Sequence, residues 1–342
     1  MPTITLQPSG HSYECPTGAP ILKTGLDAGL FMPYSCRSGV CNTCRGKVVK
    51  GKVDFGPVHP KYLSEEDKAK GYALLCCATP LEDLVIEVKE IDAGDAIRSK
   101  YMPARILRAE KVAPDVMLVR VGLPMNEPLV FRAGQYVEFI RKDGSRRSYS
   151  IANPPTNNGV RQLELHVRLT PGGQFTDYVF NKMQVRDIHR IEIPLGSFFL
   201  REKSDKPIVM LASGTGFAPI KSIIEYSLRK GFTRPITLYW GGRRREDIYM
   251  RELAEGWAKT HPHITFIPVL SEPAASDKWT GRTGFVHQAV MQDFPDMSGL
   301  EVYACGSPVV IDSARRDFAA NCKLPEAAFY ADAFLTTADK AA

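Results

Sequence analysis

Three cysteines of this 342-residue chain fall within nine residues, Cys36-Arg37-Ser38-Gly39-Val40-Cys41-Asn42-Thr43-Cys44. After 31 intervening residues comes an adjacent pair, in Leu74-Leu75-Cys76-Cys77-Ala78. The spacing C-x4-C-x2-C suits a [2Fe-2S] cluster, which needs four thiolates converging on two neighbouring irons. A loop can wrap three of them only if its backbone turns sharply, and Gly39 supplies a turn free of Cβ clash. Small or polar Ser38, Asn42 and Thr43 let backbone N–H groups point at the cluster sulfurs, where hydrogen bonds tune the potential. The fourth thiolate comes from the pair, whose two members cannot both ligate without distorting the geometry. A structural zinc site is the alternative, but zinc usually takes a second C-x2-4-C pair or two histidines. Here only one further cysteine is usable and no histidine is near.

A second constellation is Arg147-Ser148-Tyr149-Ser150, at a strand end. An Arg can neutralise a pyrophosphate, a Tyr can lie against an isoalloxazine face, and a Ser hydroxyl can reach the flavin N5 edge. About 22 residues later Pro171-Gly172-Gly173-Gln174-Phe175-Thr176 opens a helix. Free N–H groups at such an N-terminus bind phosphate, and Gly permits close approach.

A third group sits on glycine turns. Ser213-Gly214-Thr215-Gly216-Phe217-Ala218-Pro219 follows an apolar strand but is not the dinucleotide fingerprint G-x-G-x-x-G, since Pro219 stands where the third Gly belongs. Trp240-Gly241-Gly242-Arg243-Arg244-Arg245 ends the next strand, where ribose selection is made; arginines there can accept a 2′-phosphate and point toward NADPH. Ala304-Cys305-Gly306-Ser307-Pro308 and Phe329-Tyr330-Ala331-Asp332-Ala333-Phe334 lie near the end.

The elements that must position these groups form three textures. Thr3–Gln7 and Ser12–Cys15 alternate around Pro8-Ser9-Gly10, an opening hairpin; a short helix is expected over 20–29, strands over 46–53 and 83–88, and a helical turn near 64–70. Residues 93–103 lose periodicity and read as a linker. From Ala104 six strands, 105–112, 115–121, 135–140, 146–151, 163–169 and 188–193, suggest an antiparallel barrel interrupted by one helix from about Gly173. After Lys203 apolar strands alternate with helices, the pattern of a doubly wound parallel sheet: strands 207–212, 236–240, 264–270 and 302–305, helices 218–228, 248–259 and 285–291.

The expected domains are therefore 1–92, 104–202 and 203–342. This accords with a length that exceeds a single core. The formal charge is +6 overall, with 10 Lys+Arg against 11 Asp+Glu in residues 1–92, leaving −1 there and +7 beyond. A bound oxidised cluster with four thiolates makes the first domain more acidic, about −2 for the unit. This split suits docking and anionic cofactors and is too diffuse for nucleic acid. Scattered Cys15, Cys77, Cys305 and Cys322 do not make a disulfide framework. With no basic, apolar leader and no run of 18 apolar residues, a cytoplasmic protein in a reducing compartment, away from membranes, is expected.

The first 92 residues resemble a plant-type, β-grasp ferredoxin domain, in which the fourth ligand follows a short apolar run; the resemblance selects Cys76 beside Cys36, Cys41 and Cys44. The family more often has Gly at position 42, and Asn tolerates the left-handed dihedrals required. The remainder resembles the ferredoxin-NADP reductase superfamily. That implies FAD held by Arg147, Tyr149 and Ser150, by Gly173, Gln174 and Thr176, with His166 and Arg168 facing it from the strand between. It implies a nicotinamide dinucleotide at the G-x-G-x-x-P turn, Gly214, Thr215, Gly216 and Pro219, and at the C-G-x-P turn, Cys305, Gly306 and Pro308, with Cys305 beside the nicotinamide. Phe334 matches the aromatic that covers the flavin and must move for nicotinamide to stack; here Leu335–Ala342 continue beyond it. The domain order is similar to reductase components of bacterial multicomponent oxygenases and to the reductase of CDP-6-deoxyhexulose dehydration. Related bacterial reductases mostly use NADH, which places NADH before NADPH for Arg243 and Arg244. The expected activity is oxidation of NAD(P)H and delivery of single electrons through FAD and the cluster. The acceptor is a terminal oxygenase, foremost a Rieske aromatic-ring dioxygenase, or else a di-iron monooxygenase or a deoxysugar dehydrase. A non-catalytic carrier with degenerate reductase domains is opposed by the intact turns.

Overall fold

The computed structural model describes residues 1–92, 94 and 96–335; two residues of the expected linker, Ala93 and Asp95, and the tail after Leu335 lie outside the described residues. Two compact units emerge, one over residues 1–98 together with Leu335 and another over Ser99–Phe334.

In the first unit the elements are β1 (Thr3–Gln7), β2 (Ser12–Glu14), α1 (Ile21–Asp27), β3 (Arg45–Lys50), β4 (Val53–Asp54), α2 (Glu65–Ala69), β5 (Tyr72–Leu74), β6 (Thr79–Pro80) and β7 (Leu84–Glu87). A five-stranded mixed sheet runs β2-β1-β7-β3-β5, with β1 and β7 parallel in the register Leu6↔Ile86. Ile4, Leu6, Ile86 and Leu84, alternating along these strands, fill the core with Ile21 and Leu22 of α1. The strand expected over 46–53 is split: Gly51, at φ 90°, breaks it into β3 and β4. β5 has only three residues, too few to display a period in the sequence. α2 is short and polar, and it holds through its ends. Ser64 accepts from Asp67 N–H at 3.1 Å and donates its own N–H to Asp67 at 3.2 Å, behind three acidic residues in the first turn.

The second unit opens with β8 (Lys100–Ala113), β9 (Val116–Gly122), β10 (Tyr136–Ile140), β11 (Arg146–Ser150), β12 (Gln162–Arg168), α3 (Gln174–Asn181) and β13 (Ile188–Leu195). All pairs in the six-stranded order β11-β10-β13-β8-β9-β12 are antiparallel, and the bridge Ile151↔Leu165 joins its two outer strands. β8 starts earlier than expected because Lys100–Pro103 pair with Arg190–Ile193 of β13.

There follow β14 (Ile208–Ser213), α4 (Phe217–Lys230), β15 (Ile236–Gly242), α5 (Arg251–Thr260), β16 (Ile264–Leu270), β17 (Arg282–Thr283), α6 (Val286–Asp293), β18 (Glu301–Gly306), α7 (Pro308–Cys322) and β19 (Phe329–Ala333). Their sheet, β17-β16-β15-β14-β18-β19, is parallel throughout. Successive residues alternate between two cores: Met210, Ala212, Leu238, Trp240, Tyr303 and Cys305 face one side, Val209, Leu211, Tyr239, Val302 and Ala304 the other. Burial on both faces is why these strands read as unbroken apolar runs. The chain steps outward from β14 in one direction, then returns to its other flank at β18. That reversal leaves a crevice at the carboxyl ends of β14 and β18, where ligands of such sheets bind.

Candidate active site

The cysteine loop is pinned by backbone bonds to the segment carrying the adjacent pair. Leu75 donates its N–H to Cys44 O at 3.0 Å, and Leu22 and Ile21 at the start of α1 donate to Leu75 O at 2.8 Å and Ala78 O at 3.0 Å. Within this frame the Cys36 thiol meets those of Cys41 and Cys76, and Cys76 also meets Cys44. Cys77 touches only its neighbour among these sulfurs, at 3.7 Å from Cys76 Sγ, and packs where a Cβ on Gly39 would come within 2.8 Å of it. Gly39 stands at φ 77°, and Asn42 is left-handed at φ 59°, as its amide side chain permits. N–H groups of Ser38, at 3.4 Å, and Val40 point at Cys36 Sγ. Ser38 Oγ and Asn42 Oδ1 are buried without partners among the described residues, the state expected of groups built to meet an inserted cluster. Among the described residues no three His, Cys, Asp or Glu side chains surround one point as a lone ion needs; a two-iron cluster is held by two pairs instead.

In the antiparallel sheet, β11 carries Arg147, Tyr149 and Ser150. Tyr149 packs its ring 5.6 Å from Phe175 of α3 and 6.0 Å from Phe139 of β10, which brings the R-x-Y-S strand against the glycine-opened helix. Burial pushes its hydroxyl well above the usual phenol range. Among the described residues Arg147 bonds only to a backbone oxygen, Arg146 O at 2.7 Å. Ser150 is 4% exposed and its Oγ has no partner among the described residues. A buried orphan hydroxyl costs about 1–3 kcal/mol, so this one fits a ligand that supplies the missing partner. At the start of α3, Gly173 is the N-cap with no side-chain cap. The Thr176 hydroxyl turns back on Thr170, accepting its N–H at 3.1 Å, and exposed Gln174 accepts from Arg141 at 3.0 Å.

The two glycine turns of the parallel sheet meet backbone to backbone. A Cβ on Gly216 would lie 2.0 Å from Cys305 O, and one on Gly306 would lie 2.4 Å from Ser213 O. Gly306, at φ 131°, also holds a conformation that side chains rarely adopt. Trp240 Nε1 donates to Gly214 O at 3.1 Å while its ring stacks on Phe217 at 3.7 Å. Thr215 is buried in the turn, Pro219 lies in the first turn of α4, and Pro308 opens α7, positions where a missing N–H is harmless. Cys305 is fully buried, and that burial holds its thiol neutral. Phe334 donates its N–H to Gly306 O at 2.8 Å and packs on the same core as Cys305. Gly214, Thr215, Gly216, Cys305, Gly306 and Phe334 are thus assembled in one place.

His166 and Arg168 are engaged by protein. His166 Nδ1 meets Tyr249 Oη at 2.7 Å and Nε2 meets Glu164 at 3.4 Å. Burial keeps the imidazole below its ordinary value. Burial pushes Glu164 up, but the His166 bond and Lys221, 3.2 Å away, outweigh it and hold the carboxyl at about 2. Arg168 is shared between Asp115, at 2.6 Å, and Asp247. Sequence reading missed Glu164, Lys221, Tyr249 and Asp247 because they come from separate elements and form no motif; only the placement of Asp247 three residues after Arg244, a local cap spacing, offered a signal.

These three assemblies define an oxidoreductase that uses an iron–sulfur centre, a flavin and a nicotinamide dinucleotide. Family models agree with each part: a 2Fe-2S iron-sulfur cluster binding domain matches residues 4–82, an oxidoreductase FAD-binding domain 103–200 and an oxidoreductase NAD-binding domain 210–316. The chain is 40% identical over 332 residues to the CDP-6-deoxy-L-threo-D-glycero-4-hexulose-3-dehydrase reductase of Yersinia pseudotuberculosis, covering 97% of this chain and 98% of the relative. It is 34% identical to the reductase component DmpP of phenol 2-monooxygenase from a Pseudomonas species, covering 99% and 96%. The crystal structure of the Amycolatopsis cytochrome P450 reductase GcoB superposes with a TM-score of 0.79 at 33% identity, covering 98% of this chain and 99% of that one. The chain belongs to the family of three-domain reductases that join a ferredoxin domain to ferredoxin-NADP reductase-like FAD and NAD domains. It carries electrons from NAD(P)H through FAD and a [2Fe-2S] cluster. Among the described residues no helix is long and apolar enough to cross a membrane.

Proposed function

We propose that the chain feeds single electrons to a partner metalloprotein, foremost a terminal Rieske aromatic-ring dioxygenase, in a reducing cytoplasm. The observation that carries this reading is the meeting of Cys36, Cys41, Cys44 and Cys76 on the same chain as the paired nicotinamide turns. When bound, FAD converts the hydride of NAD(P)H into single electrons and the cluster carries them one at a time. Cys36, Cys41, Cys44 and Cys76 would hold the irons; Arg147 and the α3 N-terminus would hold the FAD pyrophosphate, Tyr149 would pack on the flavin and the Ser150 hydroxyl would supply a donor to it. The turns Gly214–Pro219 and Cys305–Pro308 would seat the dinucleotide, Phe334 would shield the flavin site, and Arg243 and Arg244 would meet the ribose end, with NADH preferred. We read the first sheet as a β-grasp, the closing bridge Ile151↔Leu165 as support for a barrel, and 1–92, 104–202 and 203–342 as the three domains. A second reading, delivery to a CDP-deoxysugar dehydrase, draws support from the Yersinia relative at 40% identity, against 34% for the phenol 2-monooxygenase component.

Purified protein should show flavin and cluster absorption and reduce an artificial acceptor with NADH. Ser150→Ala should keep FAD yet slow flavin reduction about a hundredfold, the scale of losing one aimed donor. Absence of both chromophores, or an unchanged Ser150→Ala, sinks the site. Reconstitution with a Rieske oxygenase and with a CDP-sugar dehydrase from the same cells separates the partners; turnover with neither sinks both.

A further inference from the structure

Arg168 comes from β12 of the antiparallel sheet, but its guanidinium is spent elsewhere. Nε donates to Asp115 Oδ2 at 2.6 Å, Nη2 bonds Asp247 Oδ1, and Nη1 lies 2.6 Å from where a Cβ on Gly214 would stand. Asp247 is 6% exposed, and its second oxygen accepts the backbone N–H groups of Arg243 at 2.8 Å and Arg244 at 2.9 Å. On the other side the turn is tied to the segment that follows β16, since Glu272 donates its N–H to Arg243 O at 3.0 Å. Arg244 and Arg245 spend guanidinium N–H groups on Glu272 O at 3.2 Å and Asp277 O at 3.3 Å. The Arg243 side chain is exposed and has no partner among the described residues. Its backbone is held by the bonds to Asp247 and Glu272 while its side chain faces outward.

We propose that Arg168 is a positioning residue for the nucleotide's ribose end, acting through Asp247 on the Arg243–Arg245 turn. This rests on the reading of that turn as part of the dinucleotide site. The physical reason is the cost of a buried carboxylate. Among the described residues Arg168 is the cation that pairs with Asp247, and a buried charge stripped of its partner leaves its place or takes up a proton. Either change releases the two N–H groups that set the direction of Arg243. The planar guanidinium holds Asp115 and Asp247 on separate edges in a fixed fork, a geometry the compact ammonium of a lysine reproduces poorly.

The test uses the holoenzyme and two variants, with ADP-ribose as the probe of the ribose and adenine half. Arg168→Met should weaken ADP-ribose and NADH binding about tenfold by calorimetry, within the ~2- to 30-fold range of residues that act without touching ligand. FAD content and the flavin spectrum should stay as in wild type, which a flavin ligand would not allow. Arg168→Lys, which keeps the charge and carries the test if Arg168→Met fails to fold, should lie between the two. Asp247→Asn should match Arg168→Met, and the double variant should lose no more than either single change. Unchanged ADP-ribose affinity in both Arg168 variants, additive losses in the double variant, or loss of FAD with nucleotide affinity intact overturns the proposal. Wild-type protein that fails to bind ADP-ribose instead overturns the reading of the turn itself.

Discussion

Gly216→Ala tests whether the two glycine turns truly share one space. Gly216 sits at φ −58° and ψ −11°, a conformation alanine adopts freely, so the substitution adds no backbone strain of its own. It adds one methyl group 2.0 Å from Cys305 O and 2.7 Å from Gly306 N. Cβ atoms are essentially never closer than 3.0 Å to such neighbours, so the β14 and β18 turns must separate by about 1.0 Å. The obstacle is main chain in a sheet and cannot rotate away as a side chain would. The cost belongs at the upper end for overpacking, about 3 kcal/mol, which for a unit of this size lowers the melting midpoint by about 6–12 °C. Gly256 is the control. It lies within α5 with nothing within 4 Å of an added Cβ, so Gly256→Ala should stabilise by about 0.5–1 kcal/mol through helix propensity alone. Differential scanning calorimetry and NADH titration read both variants. A Gly216→Ala protein that melts within about 1 °C of wild type and binds NADH equally well would show that the turns do not abut.

For the cluster, Cys76→Ser should abolish the normal visible and electron paramagnetic signature while Cys77→Ser largely spares it; the reverse pattern would mean the wrong sulfur has been assigned. Glu164 supplies a pH signature. Its carboxyl is held at about 2 in the folded chain against 4.5 unfolded, which contributes about 3 kcal/mol. The sign follows from a depressed carboxylate: stability is fully present above pH 4.5 and is lost as pH falls toward 2. His166, held neutral by burial, starts the decline earlier, near pH 6.5, because the unfolded imidazole takes a proton the folded one refuses. Glu164→Gln should therefore flatten the fall in unfolding free energy between pH 4.5 and 2, and an unchanged slope there would remove Glu164 from the account.

Periodicity revealed most of the second unit's strands because each is long enough to show whether one face or both are buried. It failed where elements are short or their signal is divided. β5 and β6 have three and two residues, and β17 is a two-residue edge. α7 was legible but unread: Ile311, Ala314, Phe318 and Cys322 recur at helical spacing after a proline that opens the helix. The thiols and the glycine turns were visible as motifs because backbone geometry restricts which residues can stand there. The partners of His166 and Arg168 were not, since Tyr249, Glu164 and Asp247 converge only through packing between the antiparallel and parallel sheets.

The bonds on Leu75 carry a consequence for how the metal centre chooses its sulfur. Leu75 is held through both of its backbone polar groups, its N–H by Cys44 and its carbonyl by Leu22. Which of two identical neighbours reaches the loop is therefore a matter of phase, counted from a hydrophobic residue that is no ligand. Deleting one residue between Leu75 and Ala78 would leave a single cysteine there, in phase with Leu75, and the loop would accept it. Inserting one residue between Leu75 and Cys76 would instead present a foreign side chain to three waiting thiols, with both cysteines intact.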